Sequence, residues 1–249
     1  MAKTKQKKAE QKRTKAYEIP RKSILRKPIA YLLGFPVRIL YGVSYEGMEN
    51  IPDEPFFLMA NHRSMLDLMA IQYVLPRWVY WIAKRSLFDI PVVGWVVRRL
   101  GAIPLERNQK DLLTVRTVLR LARAGLSIGI FPQGTRVKEE DLYKVLPHGN
   151  TANLAAHAKL PIVPVVFARP WKLFRRQRVI FGEPFYISVP EDKENRKQEY
   201  NRIMLGIMRD IFKLADIDWL PAPDARIENS AKKTDKFKGK EPVNEDRAG

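Results

Sequence analysis

Residues 56–75 read FFLMANHRSMLDLMAIQYVL. The stretch opens as a short buried strand, FFLMAN (56–61), and closes as an apolar helix, SMLDLMAIQYVL (64–75). Between the two runs stands His62, with Asp67 five positions on. Ser64 and Asp67 have the spacing of a capping box, which alone accounts for the Asp without chemistry. It does not account for the His. Within one continuous helix, five residues apart would put the two side chains on different faces. With a break at Ser64, the imidazole can fold back onto Asp67 in the first turn. A carboxylate there can hold one ring N–H and leave the other nitrogen free to take a proton.

On either side of this stretch, strands and helices alternate. WVYWIAK (78–84), AIPLER (102–107), LSIGIF (126–131), PIVPVVFA (161–168) and RVIFGEPFYI (178–187) read as strands. The two Pro of PIVPVVFA suggest an edge position or a bulge. Residues 86–99, broken by Pro91, read as a short irregular helical piece. Asn108, with Asp111 three residues later, is expected to cap the next helix. That helix would place Leu112, Val115, Leu119 and Ala122 on one face and Arg116, Arg120 and Arg123 on another, and Gly125 ends it. A short helix is expected over 150–159. A last one, near 191–216, carries Tyr200, Ile203, Met204, Ile207, Met208, Ile211 and Phe212 as a core stripe. The alternation predicts an α/β fold, one domain around a central, largely parallel (mixed) sheet flanked by helices. Ligands of such sheets bind beyond the carboxyl ends of the strands. Asn61, His62, Lys84, Arg85, Arg107 and the run 132–136 all fall there.

The 249 residues carry a net charge of +18, a surface that attracts nucleic acid or an anionic membrane leaflet. There is no cysteine, which excludes disulfides, Cys-ligated zinc and a thiol nucleophile. Three His make a His-rich metal site unexpected, so no metal is predicted. Residues 1–28 hold eleven Lys or Arg against two Glu and read as a basic tail, with no uninterrupted apolar run of the signal-peptide kind after it. Residues 29–43, IAYLLGFPVRILYGV, are too short for a span, with Pro36 and Arg38 inside. They read as an amphipathic interfacial segment, with Arg26, Lys27 and Arg38 near phosphate headgroups and Tyr31, Phe35 and Tyr41 at the boundary. The folded domain is expected over 44–221, and 222–249 as a disordered polar tail. The aromatic and basic cluster RWVYWIAKR (77–85) would support a nucleic-acid binder. It reads as a strand, however, and no nucleic-acid-binding signature accompanies it, so no nucleic-acid partner is expected.

FPQGTR (131–136) follows the strand LSIGIF directly. Gly134 lets backbone N–H groups approach an anion, Thr135 offers a hydroxyl, and Arg136 offers a fork suited to phosphate. Arg107 ends another strand and could supply a second fork. With no Ser or Cys nucleophile in view, the hydroxyl that His62 would activate belongs to a substrate.

In these blocks the sequence resembles the glycerolipid acyltransferases, from about residue 44 to 189. NHRSMLD (61–67) is similar to the family's motif of a His, four residues and an Asp, and implies His62 as general base and Asp67 as its partner. GAIPLER (101–107) is similar to the second block, whose terminal arginine, here Arg107, binds the acceptor phosphate. FPQGTR resembles the third, so that Gly134, Thr135 and Arg136 would contact that phosphate, with Asn61, Lys84 and Gln133 as supporting residues. LPIVPVVF (160–167) is similar to the fourth block, tied to acyl-donor binding or to site structure. The family normally has Glu where this chain has Gln133, which keeps an acceptor oxygen, loses the charge and becomes a candidate for acceptor choice. The resemblance implies transfer of an acyl group from acyl-CoA or acyl carrier protein to the free hydroxyl of the lysophospholipid 1-acyl-sn-glycerol-3-phosphate, without a cofactor; the alternatives are a different lysolipid acceptor or a catalytically silent lipid-binding relative. It implies phospholipid biosynthesis at the cytoplasmic face of a membrane, by a peripheral or monotopic protein. The apolar residues Leu66, Leu68, Met69 and Ile71, with FDIPVVGWVV (88–97), could line an acyl groove.

Overall fold

The structure, a computed structural model, describes Ile19 and residues 24–106 and 111–227. Arg107, Asn108, most of the basic tail and residues 228–249 lie outside the described residues. Seven strands form one sheet: β1 (Ser44–Glu46), β2 (Phe57–Ala60), β3 (Val79–Lys84), β4 (Ile103–Leu105), β5 (Ser127–Ile130), β6 (Ile162–Phe167) and β7 (Arg178–Phe181). Their order is β1-β7-β6-β2-β5-β3-β4. Every neighbouring pair is parallel except β6 and β7. The helices are α1 (Arg26–Leu40), α2 (Leu66–Val74), α3 (Pro91–Arg99), α4 (Leu112–Arg123), α5 (Gly149–Ala158) and α6 (Arg196–Lys213). The expected α/β architecture with a mixed, mainly parallel sheet is the one observed.

A sheet covered on both faces needs strands that are apolar at every position, because alternate side chains go to opposite sides. β2 meets this. Phe57 and Met59 enter one core with the α4, α5 and α6 residues Val118, Ala152 and Met204. Leu58 and Ala60 enter the other with Val37 of α1 and Ala70 and Ile71 of α2. The last helix buries Tyr200, Met204, Ile207, Met208, Ile211 and Phe212, as its stripe requires.

Several local expectations change. The residues 64 and 65 stay outside α2, which begins at Leu66. Asp111, expected three residues after the cap, is itself the N-cap of α4: its Oδ1 accepts from Thr114 N at 3.0 Å. The buried face of α4 is Thr114, Thr117, Val118, Leu121 and Ala122, while Leu112 and Val115 are exposed. The Thr114 hydroxyl makes its own burial tolerable by donating to Pro104 O at 2.6 Å. β6 is interior, flanked by β7 and β2, so its prolines do not mark an edge. Pro164 alone falls at a bulge, whose extra residue lies on the partner segment after β7. The pairing register shifts by one residue between Val165–Phe181 and the isolated bridge Ile162–Phe185, and the N–H that Pro164 lacks falls in that gap. Residues 222–226, expected in the tail, stay docked: Ala222 N donates to Tyr143 O and Arg226 N to Lys144 O, both at 2.8 Å.

The segment over 29–43 is mostly helix, with Pro36 inside it. Its inner face packs on α2 at Gly34, where a Cβ would sit 2.4 Å from Tyr73 Cβ. Arg26 does not face outward as expected. It is buried, lies over the Trp78 and Tyr80 rings, and donates to Tyr80 Oη at 2.7 Å. Tyr41 is likewise half-buried, edge-on to Trp171. The outer face keeps Tyr31, Leu32, Phe35 and Ile39 exposed; Lys27 and Arg38 are exposed beside the inner face, with Arg38 over the Tyr45 and Tyr73 rings. No helix among the described residues is long and apolar enough to cross a membrane.

Candidate active site

The sheet order gathers the site. β2, β5 and β3 are adjacent and parallel, with Met59 paired to Ile130 and Trp81 to Gly129. Their carboxyl ends therefore deliver His62, the FPQGTR turn and Lys84 to one rim of the sheet.

His62 Nδ1 lies 2.7 Å from Asp67 Oδ2. Asp67 is fully buried, and its Oδ2 also accepts from Arg63 N at 2.7 Å and Ser64 N at 2.8 Å. The carboxylate thus does both things its spacing allows: it caps the backbone before α2 and holds the imidazole. Ser64 Oγ accepts from Leu66 N at 3.3 Å rather than from Asp67 N, so only the acidic arm of the expected box forms as drawn. Beside an ionised carboxylate, which only accepts, Nδ1 would carry the proton and leave the lone pair on Nε2. Nε2 has no hydrogen-bond partner among the described residues.

The ring plane is set from below. His62 stacks on Phe131 with centroids 3.9 Å apart and an interplanar angle of 12°. Phe131 in turn stacks on Trp81 at 4.8 Å and 17°. Trp81 can lie there because β5 has a glycine beneath it, where a Cβ would be 2.8 Å from the indole. Trp81 Nε1 also donates to Gln72 Oε1 of α2 at 3.2 Å. The aromatics of the 77–85 cluster are therefore engaged inside the fold. Tyr45 braces α2 further by donating to Ala70 O at 3.1 Å, and burial pushes its phenol above the ordinary tyrosine range.

A residue far away in sequence completes the carboxylate shell. Trp171 Nε1 donates to Asp67 Oδ1 at 2.6 Å. With three N–H groups on Oδ2 and the indole on Oδ1, the Asp67 carboxylate is held in a single rotamer.

The FPQGTR turn closes over the same rim. Gly134 has φ 67°, in the left-handed region, and its N–H donates to Phe131 O at 2.9 Å. That N–H is consumed by the turn. The N–H groups of Thr135 and Arg136 have no partner among the described residues, and the Arg136 side chain is exposed. Val137 N donates to His62 O at 2.8 Å, which pins the turn beside the imidazole. An ion pair between Arg63 and Glu139 ties the same two segments.

The supporting residues separate. Asn61 bonds the Phe167 backbone in both directions, from Nδ2 to O at 3.1 Å and from N to Oδ1 at 2.8 Å, and so locks β2 to β6. Gln133 points inward: its Nε2 donates to Val145 O at 3.3 Å, and its buried Oε1 has no partner among the described residues. Lys84 is exposed at the end of β3. Of the residues suggested for an acyl groove, Ile71 is core and Leu66, Leu68 and Met69 are half-buried against it. Val92, Val93 and Trp95 of α3 are exposed. Among the described residues, no group of three or more His, Asp or Glu side chains could hold a metal ion.

A family model described as Acyltransferase matches residues 42–168, just over half of the chain. The 1-acyl-sn-glycerol-3-phosphate acyltransferase of Bacillus subtilis (strain 168) is 28% identical over 152 residues, 58% of this chain and 74% of that protein. A chloroplastic 1-acyl-sn-glycerol-3-phosphate acyltransferase of Brassica napus is 32% identical over 162 residues, 59% of this chain and 46% of that one. The chain therefore spans about half the length of the plant relative. Among solved structures, the 1-acyl-sn-glycerophosphate (LPA) acyltransferase PlsC of Thermotoga maritima superposes with a TM-score of 0.55 at 25% identity, over 74% of this chain and 78% of that one.

Proposed function

Since the chain belongs to the Acyltransferase family, we propose that it acylates the free hydroxyl of 1-acyl-sn-glycerol-3-phosphate to give phosphatidic acid. The acyl donor is a thioester, of CoA or of acyl carrier protein. The observation that carries this reading is the 2.7 Å contact between His62 Nδ1 and Asp67 Oδ2, with Nε2 left as the base. The names of the relatives support the acceptor.

In the proposed reaction, His62 Nε2 removes the proton of the acceptor hydroxyl as its oxygen attacks the thioester carbonyl carbon. Asp67 stays ionised and stabilises the imidazolium. The C–S bond then breaks, and the Nε2 proton passes to the leaving sulfur. No metal or redox group enters the balance. Arg136, Thr135 and the N–H groups of Thr135 and Arg136 hold the acceptor phosphate, with Arg107 as a second fork. Gly134 contributes the turn rather than a donor. Asn61 and Gln133 act as struts, and Lys84 adds charge at the rim. Holding acceptor and base together is worth several kcal/mol, up to about 7–11 in well-oriented cases. The outer face of α1 seats the protein on an anionic leaflet, where the lysophospholipid acceptor resides, at the cytoplasmic face.

The test is thiol release by purified, vesicle-supported protein, with acyl-CoA and acyl carrier protein donors against a panel of lysophospholipids. Turnover on 1-acyl-sn-glycerol-3-phosphate that disappears in His62→Ala is the expected result. His62-independent turnover would refute the mechanism, and turnover only on another lysolipid would refute the acceptor.

A further inference from the structure

The loop between β6 and β7 carries a feature that the chemistry does not require. Residues 172–176 read KLFRR and are all exposed, with Leu173 at 54% and Phe174 at 83%. Phe174 has φ 59°, a conformation that a bulky residue adopts only at a cost. Its exposed ring gains little packing in return. Backbone strain that presents an apolar side chain to solvent points to a partner outside the chain.

The loop is not loose. Its neck is stapled by Gln177, which is buried: its Oε1 accepts from Arg169 N and Arg178 N, both at 3.1 Å, and its Nε2 donates to Arg169 O at 2.5 Å. Its tip is tied to the end of α1, where Phe174 N donates to Leu40 O at 3.0 Å and Gln177 N to Tyr41 O at 3.1 Å. Leu40 and Ile39 are themselves exposed, so the apolar tip continues the apolar face of α1. Lys172, Arg175 and Arg176 flank the tip, none of them is in an ion pair among the described residues, and the run 169–177 contains no acidic residue.

We propose that this loop is a second membrane-contacting element, whose Leu173–Phe174 tip enters an anionic leaflet beside α1. Two apolar side chains between three cations match the chemistry of an interface with buried acyl chains and negative headgroups. The proposal rests on the reading of α1 as a membrane-facing helix. Trp171, two residues before Leu173, donates to Asp67, so the element that meets the lipid also orients the carboxylate behind His62.

The absence of cysteine permits a site-specific test in the full chain. Single variants Phe174→Cys, Leu32→Cys on α1 and Lys197→Cys on α6 would be labelled with a polarity-sensitive fluorophore. Each would be mixed with vesicles of phosphatidylglycerol and phosphatidylcholine, or of phosphatidylcholine alone. The expected result is a blue shift at 174 and 32, none at 197, and loss of both shifts without the anionic lipid. A shift at 32 but not at 174 overturns the proposal while sparing the α1 reading. No shift at either overturns both. A shift at 174 with purified acyl carrier protein but not with vesicles replaces the lipid by an acidic protein. As a second readout, Phe174→Gly suits the positive φ, so its thermal midpoint should hold or rise. Its vesicle affinity should fall about tenfold, the loss of one buried apolar side chain. Unchanged affinity would overturn the proposal.

Discussion

The two halves of the site are built differently. The His62–Asp67 corner is over-determined: the carboxylate accepts four N–H groups and the imidazole rests on Phe131, Trp81 and Gly129. The turn at 131–136 is pinned at its ends by Gly134 N to Phe131 O and Val137 N to His62 O. Between those pins, Arg136 is exposed and Thr135 half-buried. In the proposed reaction the base is assembled before any substrate arrives, whereas the anion side is left for the ligand to complete. Catalytic geometry tolerates little displacement. A phosphate brings enough charge to order its own donors.

The contrast predicts different kinds of damage. His62→Ala should lower kcat by about 10²–10⁴, the usual contribution of a general base, with a smaller loss of stability because one donor to the buried Asp67 and the stack on Phe131 go with the ring. Turnover and a melting scan on one preparation check both. Asp67→Asn should lower kcat and stability together, because a buried acceptor of four N–H groups is replaced by one with a donating amide. Bonds to a charged group are worth about 1.5–3 kcal/mol, and chemical denaturation measures the loss. Gly129→Ala should act through the stack, costing about 1–3 kcal/mol as Trp81 is displaced, with kcat falling while the acceptor KM holds. A raised acceptor KM instead would show that the ring platform serves binding. Arg136→Ala should do the reverse, raising the acceptor KM about tenfold with stability unmoved, and Arg136→Lys should recover only part of it.

The smallest effect belongs to a pair away from the site. Arg178 donates to both carboxylate oxygens of Glu46, at 2.7 and 2.8 Å, and holds that carboxyl below the ordinary range. A depressed carboxylate stabilises the fold above its unfolded pKa and loses that contribution as pH falls through the folded value. The pair is solvent-screened, so Glu46→Gln should cost about 0.2–1 kcal/mol at neutral pH and nothing below the carboxylate range, with turnover intact.

Local pattern made the dyad legible. His62 and Asp67 lie within one strand-to-helix break, where spacing alone constrains geometry. The strand order was not legible, since nothing in a parallel run names its neighbour. Trp171 was invisible for the same reason, lying 104 residues from the carboxylate it orients. Phe131 stood inside a quoted motif, yet only the fold shows it as a platform. Arg26 misled because charge argues for the surface, while two aromatic faces and a tyrosine hydroxyl can satisfy a buried guanidinium. Leu112 and Val115 misled because the stripe was set by apolar residues, whereas Thr114 and Thr117 lie on the buried face.

The most direct test of a base assembled in advance is the tautomer of His62 without substrate. With only three His in the chain, nitrogen-15 labelling of histidine and a His62→Ala reference would isolate its ring. The neutral ring should carry its proton on Nδ1 in a single slowly exchanging form, and that signal should change in Asp67→Asn. A proton on Nε2, or averaging between the tautomers, would contradict the account.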